Sequence, residues 1–115
     1  PDGTCLRDYI DVVDLAKAHV ATVRRMTSNK MEEKYEIFNV GTGSPVSVLE
    51  LLTRFEAVND LKLPYKIVGR RPGDVPAVWA DTAVANEVLG WKAERELDDT
   101  LRSAWAWEKH IRNIK

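Results

Sequence analysis

The amino-acid sequence predicts a small mixed α/β domain, and three observations carry that prediction. A length of 115 residues holds one compact domain and one small core. Three short β-like runs are separated by stretches of helical period. A composition that is 44% hydrophobic and 30% charged is that of an ordinary folding chain, not of a disordered tail or a collagen-like repeat.

The elements follow in order. Residues 9–12 alternate and carry β-branched types, a short strand signal. From Val13 to about Met26, Ala16, Val20 and Val23 recur at helical spacing, and Arg24 and Arg25 fall in the last turn, where cations suit the macrodipole. His19 lies beside this apolar stripe with no metal set around it and reads as a satisfied packing residue. Ser28-Asn29-Lys30 and Glu32-Glu33-Lys34 form a solvated connection into residues 35–40, which read as a largely buried strand. Gly41-Thr42-Gly43-Ser44-Pro45 breaks that strand.

Ser47 followed three residues later by Glu50 forms a capping box, and Val48, Leu51, Leu52 and Phe55 share one face, which predicts a helix over 48–58. Tyr65-Lys66-Ile67-Val68 is a third short strand signal. Asp81-Thr82 caps a brief helix that stops at Gly90, with Trp91 folding back onto it. Asp98 or Asp99 caps a terminal helix whose Leu101, Ala104, Trp105 and Ile111 share one face, with Trp107 turned well away. There is no internal repeat, low-complexity segment or linker between two domains.

Seventeen basic residues against eighteen acidic ones leave a net charge of -1. No global positive field draws in nucleic acid or an anionic membrane, so phosphate binding must come from a few placed residues. A single cysteine, Cys5, makes no intramolecular disulfide. With no secretory h-region and no bilayer-spanning run, the expected compartment is the cytoplasm. Cys5 has neither a histidine nor a helix N-terminus nearby in sequence and reads as inert. Pro1-Asp2-Gly3-Thr4 is turn chemistry leading straight into a strand without an initiator methionine, as in the middle of something larger.

Three segments bear on chemistry. Strand, Gly41-Thr42-Gly43, then helix invites a dinucleotide fingerprint, but the third glycine position is Val46 and Pro45 removes a donor, so a plain tight turn is expected. In Arg70-Arg71-Pro72-Gly73-Asp74, Pro72 and Gly73 suit the centre of a type II turn that sets Arg71 beside Asp74. That pair is either a clamp, the guanidinium taking phosphate and the carboxylate taking sugar hydroxyls, or a surface ion pair. Arg7-Asp8-Tyr9 offers a second guanidinium and a phenol if the fold brings it near. No nucleophilic triad, zinc spacing or P-loop is present, and no catalytic residue is assigned.

Taken in order, Arg7-Asp8-Tyr9-Ile10-Asp11-Val12-Val13-Asp14-Leu15-Ala16-Lys17-Ala18-His19, Phe38-Asn39-Val40-Gly41-Thr42-Gly43, Ser47-Val48-Leu49-Glu50, Arg70-Arg71-Pro72-Gly73-Asp74-Val75-Pro76-Ala77, Trp79-Ala80-Asp81, Leu89-Gly90-Trp91 and Trp105-Ala106-Trp107 form a pattern. It resembles the carboxy-terminal third of UDP-glucose 4-epimerases, which are extended short-chain dehydrogenase/reductases. The resemblance implies that residues 1–115 are one UDP-sugar-binding domain without the Rossmann domain. By it, Arg7 and Arg71 hold the diphosphate, Tyr9, Val48 and Asp74 line the nucleotide site, and Asp74 meets ribose hydroxyls.

It also implies a whole protein, expected as a homodimer, that interconverts UDP-glucose and UDP-galactose with NAD held by the other domain. This chain alone is expected to be inactive, and its exposed strand edges and apolar faces predict self-association. Two positions depart from the pattern. Asp11 stands where the family commonly has histidine. Val78 stands where some members carry tyrosine near the hexose, leaving room for N-acetylated UDP-hexoses. The rival readings are another nucleotide-sugar dehydratase or decarboxylase, and a free-standing binding module.

Overall fold

The computed structural model describes residues 2–29 and 34–113. Strand β1 (Leu6–Arg7) pairs antiparallel with β2 (Val46–Ser47), Leu6 opposite Ser47 and Arg7 opposite Val46. On its other side, β1 meets the segment around Ala77: the Leu6 N–H donates to the Pro76 carbonyl at 2.9 Å, and the Val78 N–H donates to Leu6 at 3.1 Å. One short strand therefore joins three distant parts of the chain.

Helix α1 (Val12–Thr27) starts where Asp11 caps it, Oδ1 accepting from the Val13 N–H at 2.8 Å. This corrects the strand expected over 9–12: the aspartate's preference for a helix N-cap overrides the β-branched types after it, and the paired strand lies earlier. Asp11 Oδ2 also accepts from Thr100 Oγ1 at 2.8 Å, tying α1 to the last helix. The exposed His19 donates from Nδ1 to the Leu15 carbonyl at 2.9 Å.

Helix α2 (Val48–Asn59) follows the capping prediction, with Ser47 Oγ accepting from the Glu50 N–H at 3.1 Å. Helix α3 (Leu97–Ile111) begins after Glu96, which makes no side-chain cap bond. Asp98 and Asp99 thus lie in the first turn instead of capping it, and their carboxylates are taken by Arg54 and Arg102. α2 and α3 pack through Phe55 and Trp105, edge to face at 6.1 Å. Of the expected α3 face, Leu101 is buried and Trp105 partly so, whereas Ala104 and Ile111 are exposed. Trp107 turns outward as expected and stacks on His110.

The brief helix before Gly90 is a π-helical turn (Ala85–Leu89), its approach capped by Asp81 Oδ1 accepting from the Ala83 N–H. Trp91 folds back: it is buried, and its Nε1–H donates to the Asp14 carbonyl at 2.9 Å. Ala18, Ala85 and Trp91 form the core, with Ile10, Phe38, Val40 and Leu89 packed against it.

The runs 35–40 and 65–68 form no ladder among the described residues. In 35–40 the alternation is real but one-sided: Glu36, Phe38 and Val40 turn inward, while Tyr35 and Ile37 are 76% and 80% exposed. That corrects the largely buried strand expected there. Tyr65, Ile67 and Val68 are likewise exposed. Strand propensity describes a fit to a neighbouring strand and its side chains, so a run without a paired neighbour among the described residues forms no ladder. The radius of gyration, 17.2 Å against about 13 Å for a compact domain of this size, expresses the same openness. Of the solvated connection and the opening turn, residues 30–33 and Pro1 lie outside the described residues.

Candidate functional site

The Pro72-Gly73 corner forms as expected. The Asp74 N–H donates to the Arg71 carbonyl at 3.2 Å, and Gly73 has φ +85°, the conformation that a type II turn demands at its third residue. The turn sets Arg71 against Asp74 in a two-point contact, Nε to Oδ2 and Nη2 to Oδ1, each 3.1 Å. Arg7 reaches the same carboxylate from β1, Nη2 to Oδ1 at 3.9 Å, while its Nη1 donates to the Leu6 carbonyl at 2.8 Å. Two guanidiniums thus share one carboxylate, leaving a local positive charge. The bond to Asp74 and then its charge hold the Arg71 guanidinium above its ordinary value. Its side chain is 83% exposed against 24% for Asp74, so Arg71 is the arm free to turn toward a ligand.

These groups line a hollow of about 480 Å³. Arg7, Tyr9, Val48, Arg71 and Asp74 all face it, together with Cys5, Leu52, Tyr65, Ile67 and Arg70. Five of the six residues named from sequence therefore meet in one place. Val78 does not: it lies in a neighbouring hollow of about 390 Å³ with Asp8, Asn39 and Trp79, and Arg7 borders both. A larger hollow of about 640 Å³ lies elsewhere, between α1 and residues 88–94, and none of the six lines it.

The N-terminus of α2 opens beside the site, yet its donors are already used. Val48 N–H goes to the Cys5 carbonyl at 3.0 Å, Leu49 N–H to Thr4 Oγ1 at 3.1 Å, and Glu50 N–H to its cap. Anion attraction in the hollow therefore falls to the guanidiniums.

Sequence reasoning missed Leu52, Tyr65, Ile67, Cys5 and Arg70 as lining residues. Leu52 was findable, because it stands one helical turn beyond Val48 on the same face. Cys5 and Arg70 were findable too, as near neighbours in the chain of Arg7 and Arg71, whereas Tyr65 and Ile67 come from a segment that no local signal ties to the clamp.

The Gly41-Thr42-Gly43 turn does point amides at an anion, and the anion is Asp8. Its Oδ1 accepts from Thr42 N–H at 2.9 Å and Thr42 Oγ1 at 2.6 Å, and its Oδ2 from Gly43 N–H at 3.0 Å and Ala80 N–H at 3.2 Å. A dinucleotide's pyrophosphate does not fit there, since the donors are taken and the space against Gly41 is filled by Asp8 and Ala80. Among the described residues no group of three His, Cys, Asp or Glu could hold a metal, and no helix is long and apolar enough to cross a membrane.

No protein-family model matches the chain. It is 44% identical over 109 residues to a UDP-glucose 4-epimerase of Yersinia enterocolitica, a match spanning 95% of this chain and 31% of that protein. Among solved structures it resembles the UDP-glucose-4-epimerase of Stenotrophomonas maltophila with bound NAD and formylated UDP-arabinopyranose: TM-score 0.90, 39% identity, 97% of this chain and 32% of that one. It also resembles the UDP-glucose 4-epimerase of Bifidobacterium longum in complex with NAD+ and UDP: TM-score 0.87, 43% identity, 98% and 32% of the two chains. The chain thus spans about a third of the length of the proteins it matches, and over that third it has the same mixed α/β fold.

Proposed function

We propose that residues 1–115 form the carboxy-terminal, UDP-hexose-holding domain of a UDP-glucose 4-epimerase. The observation that carries this reading is the meeting of Arg7, Arg71 and Asp74 at one hollow, in a chain whose structural relatives hold UDP or a UDP-sugar. Arg7 and Arg71 take the diphosphate oxygens. Asp74, released from Arg71 as that guanidinium turns to phosphate, accepts from ribose hydroxyls, and Tyr9 and Val48 wall the nucleotide.

Val78, 50% exposed in the hollow beside the clamp, is taken to stand at the hexose end. Its small side chain leaves room for an N-acetylated sugar, so the whole enzyme is expected to turn over UDP-N-acetylglucosamine. NAD finds no fitting residues here and belongs to a separate dinucleotide domain, together with the catalytic groups. The whole protein is read as a cytoplasmic homodimer. Exposed Val12, Val23 and Met26 on α1 support self-association of this chain when it stands alone.

Calorimetric titration of the chain with UDP tests the reading. Weak binding is expected, abolished by Arg71→Ala, with no heat on adding NAD. Tight binding indifferent to that substitution would overturn the clamp.

A further inference from the structure

The Asp8 knot has no role in the clamp as described, yet it is the most heavily bonded side chain near it. All four of its bonds come from distant segments: three from Thr42 and Gly43, one from Ala80. Asp8 is seated on the 41–43 turn, and the residues on either side of it, Arg7 and Tyr9, both line the 480 Å³ hollow, Arg7 also bordering the smaller hollow that Asp8 lines. The Ala80 bond closes the other side, on the segment that leads back to Asp74 and pairs with β1 through Pro76 and Val78.

Gly41 completes the seat. A Cβ there would come within 2.6 Å of Asp8 Oδ2 and 2.8 Å of the Ala80 Cβ, so only glycine lets the carboxylate sit this close. Burial works to raise the Asp8 pKa, but the bonds from Thr42, Gly43 and Ala80 outweigh it and hold the group below 3.8, as befits an anion in a ring of donors.

We propose that Asp8 is a positioning residue for the diphosphate site: its carboxylate, seated on the Gly41-Thr42-Gly43 turn and Ala80, fixes the backbone from which Arg7 and Tyr9 project. The proposal rests on the reading of Arg7 and Arg71 as diphosphate ligands. The glycine turn that looks like a cofactor loop is, on this account, an anion seat filled from within.

The test is a double-mutant cycle on the 115-residue chain with UDP in the calorimeter. Asp8→Asn keeps the size but turns an amide toward N–H donors, and it is expected to weaken UDP about tenfold. In an Arg7→Ala background the same change should cost less than about twofold, because the group it positions is gone. In a Val48→Ala background, on a helix that Asp8 does not touch, the full tenfold loss should persist. A loss caused by general destabilisation would be the same in both backgrounds.

Gly41→Ala, which displaces the carboxylate without removing its charge, should mimic Asp8→Asn. If either variant fails to fold by circular dichroism, Thr42→Val, which deletes the 2.6 Å hydroxyl bond to Asp8 together with the hydroxyl's contacts to Ser44 and leaves the carboxylate and its amide donors in place, takes its place with a smaller loss and the same pattern. UDP binding that needs Arg71 but shows equal losses in both backgrounds, or none, would overturn the positioning role and leave the clamp standing. Wild type that binds no UDP, or binds it without need of Arg71, would remove the clamp and this proposal with it.

Discussion

Two glycine turns in this molecule each meet an aspartate, and they use it in opposite ways. At 41–43 the amides and a hydroxyl close around Asp8, every donor comes from the chain itself, and no room remains. At 71–74 the turn holds Asp74 by guanidiniums alone, beside an open hollow, with Arg71 mostly in solvent. Amide donors fixed in backbone cannot leave an internal anion, whereas a guanidinium on a flexible stem can exchange one for a ligand's phosphate. A turn that looks made for phosphate is thus filled from within, and one that looks like a surface ion pair is the turn we propose as the ligand site.

The contrast is sharpest in the paired substitutions Asp8→Ala and Asp74→Ala. Losing Asp8 strands three amide donors and a hydroxyl, and should lower the unfolding free energy by about 2–4 kcal/mol in urea denaturation. Asp74→Ala removes a contact whose main partner, Arg71, is 83% exposed and a longer one to Arg7, and should change it by less than about 1 kcal/mol. Equal costs would break the distinction. The Asp8 contribution also has a pH signature. Because its folded pKa is depressed, the contribution is complete above about 3.8 and fades as pH falls through the lower folded value. The stability gap between wild type and Asp8→Asn should therefore be flat at neutral pH and narrow in acid.

Next in size comes the pair of glycines. Gly41→Ala drives a methyl into Asp8 and Ala80 and should cost about 1–3 kcal/mol. Gly73→Ala meets nothing within 4 Å, so only the backbone penalty of φ +85° remains, about 1 kcal/mol. Thermal unfolding of the two variants side by side orders them.

The same contrast explains what could be read from the sequence. Helix α1 was legible from its apolar period and α2 from its cap and period, all local signals, and α2 follows Ser47 and Glu50 as expected. The Arg71-to-Asp74 turn was legible for the same reason, its geometry being set by Pro72 and Gly73 between them. The first strand was misplaced because Asp11 spends its side chain on α1, and pairing with β2 then falls at Leu6–Arg7. Runs 35–40 and 65–68 carried the right alternation or composition, but a ladder needs a neighbour that composition does not supply. Asp8 was invisible as a seat because its donors lie 34, 35 and 72 residues away.

The most direct test of the account watches the guanidiniums themselves. In an NMR titration of the labelled chain with UDP, the Nε–Hε signals of Arg7 and Arg71 should both move and saturate together, as Arg71 exchanges Asp74 for phosphate. UDP that binds while the Arg71 signal stays at its free position would contradict the account.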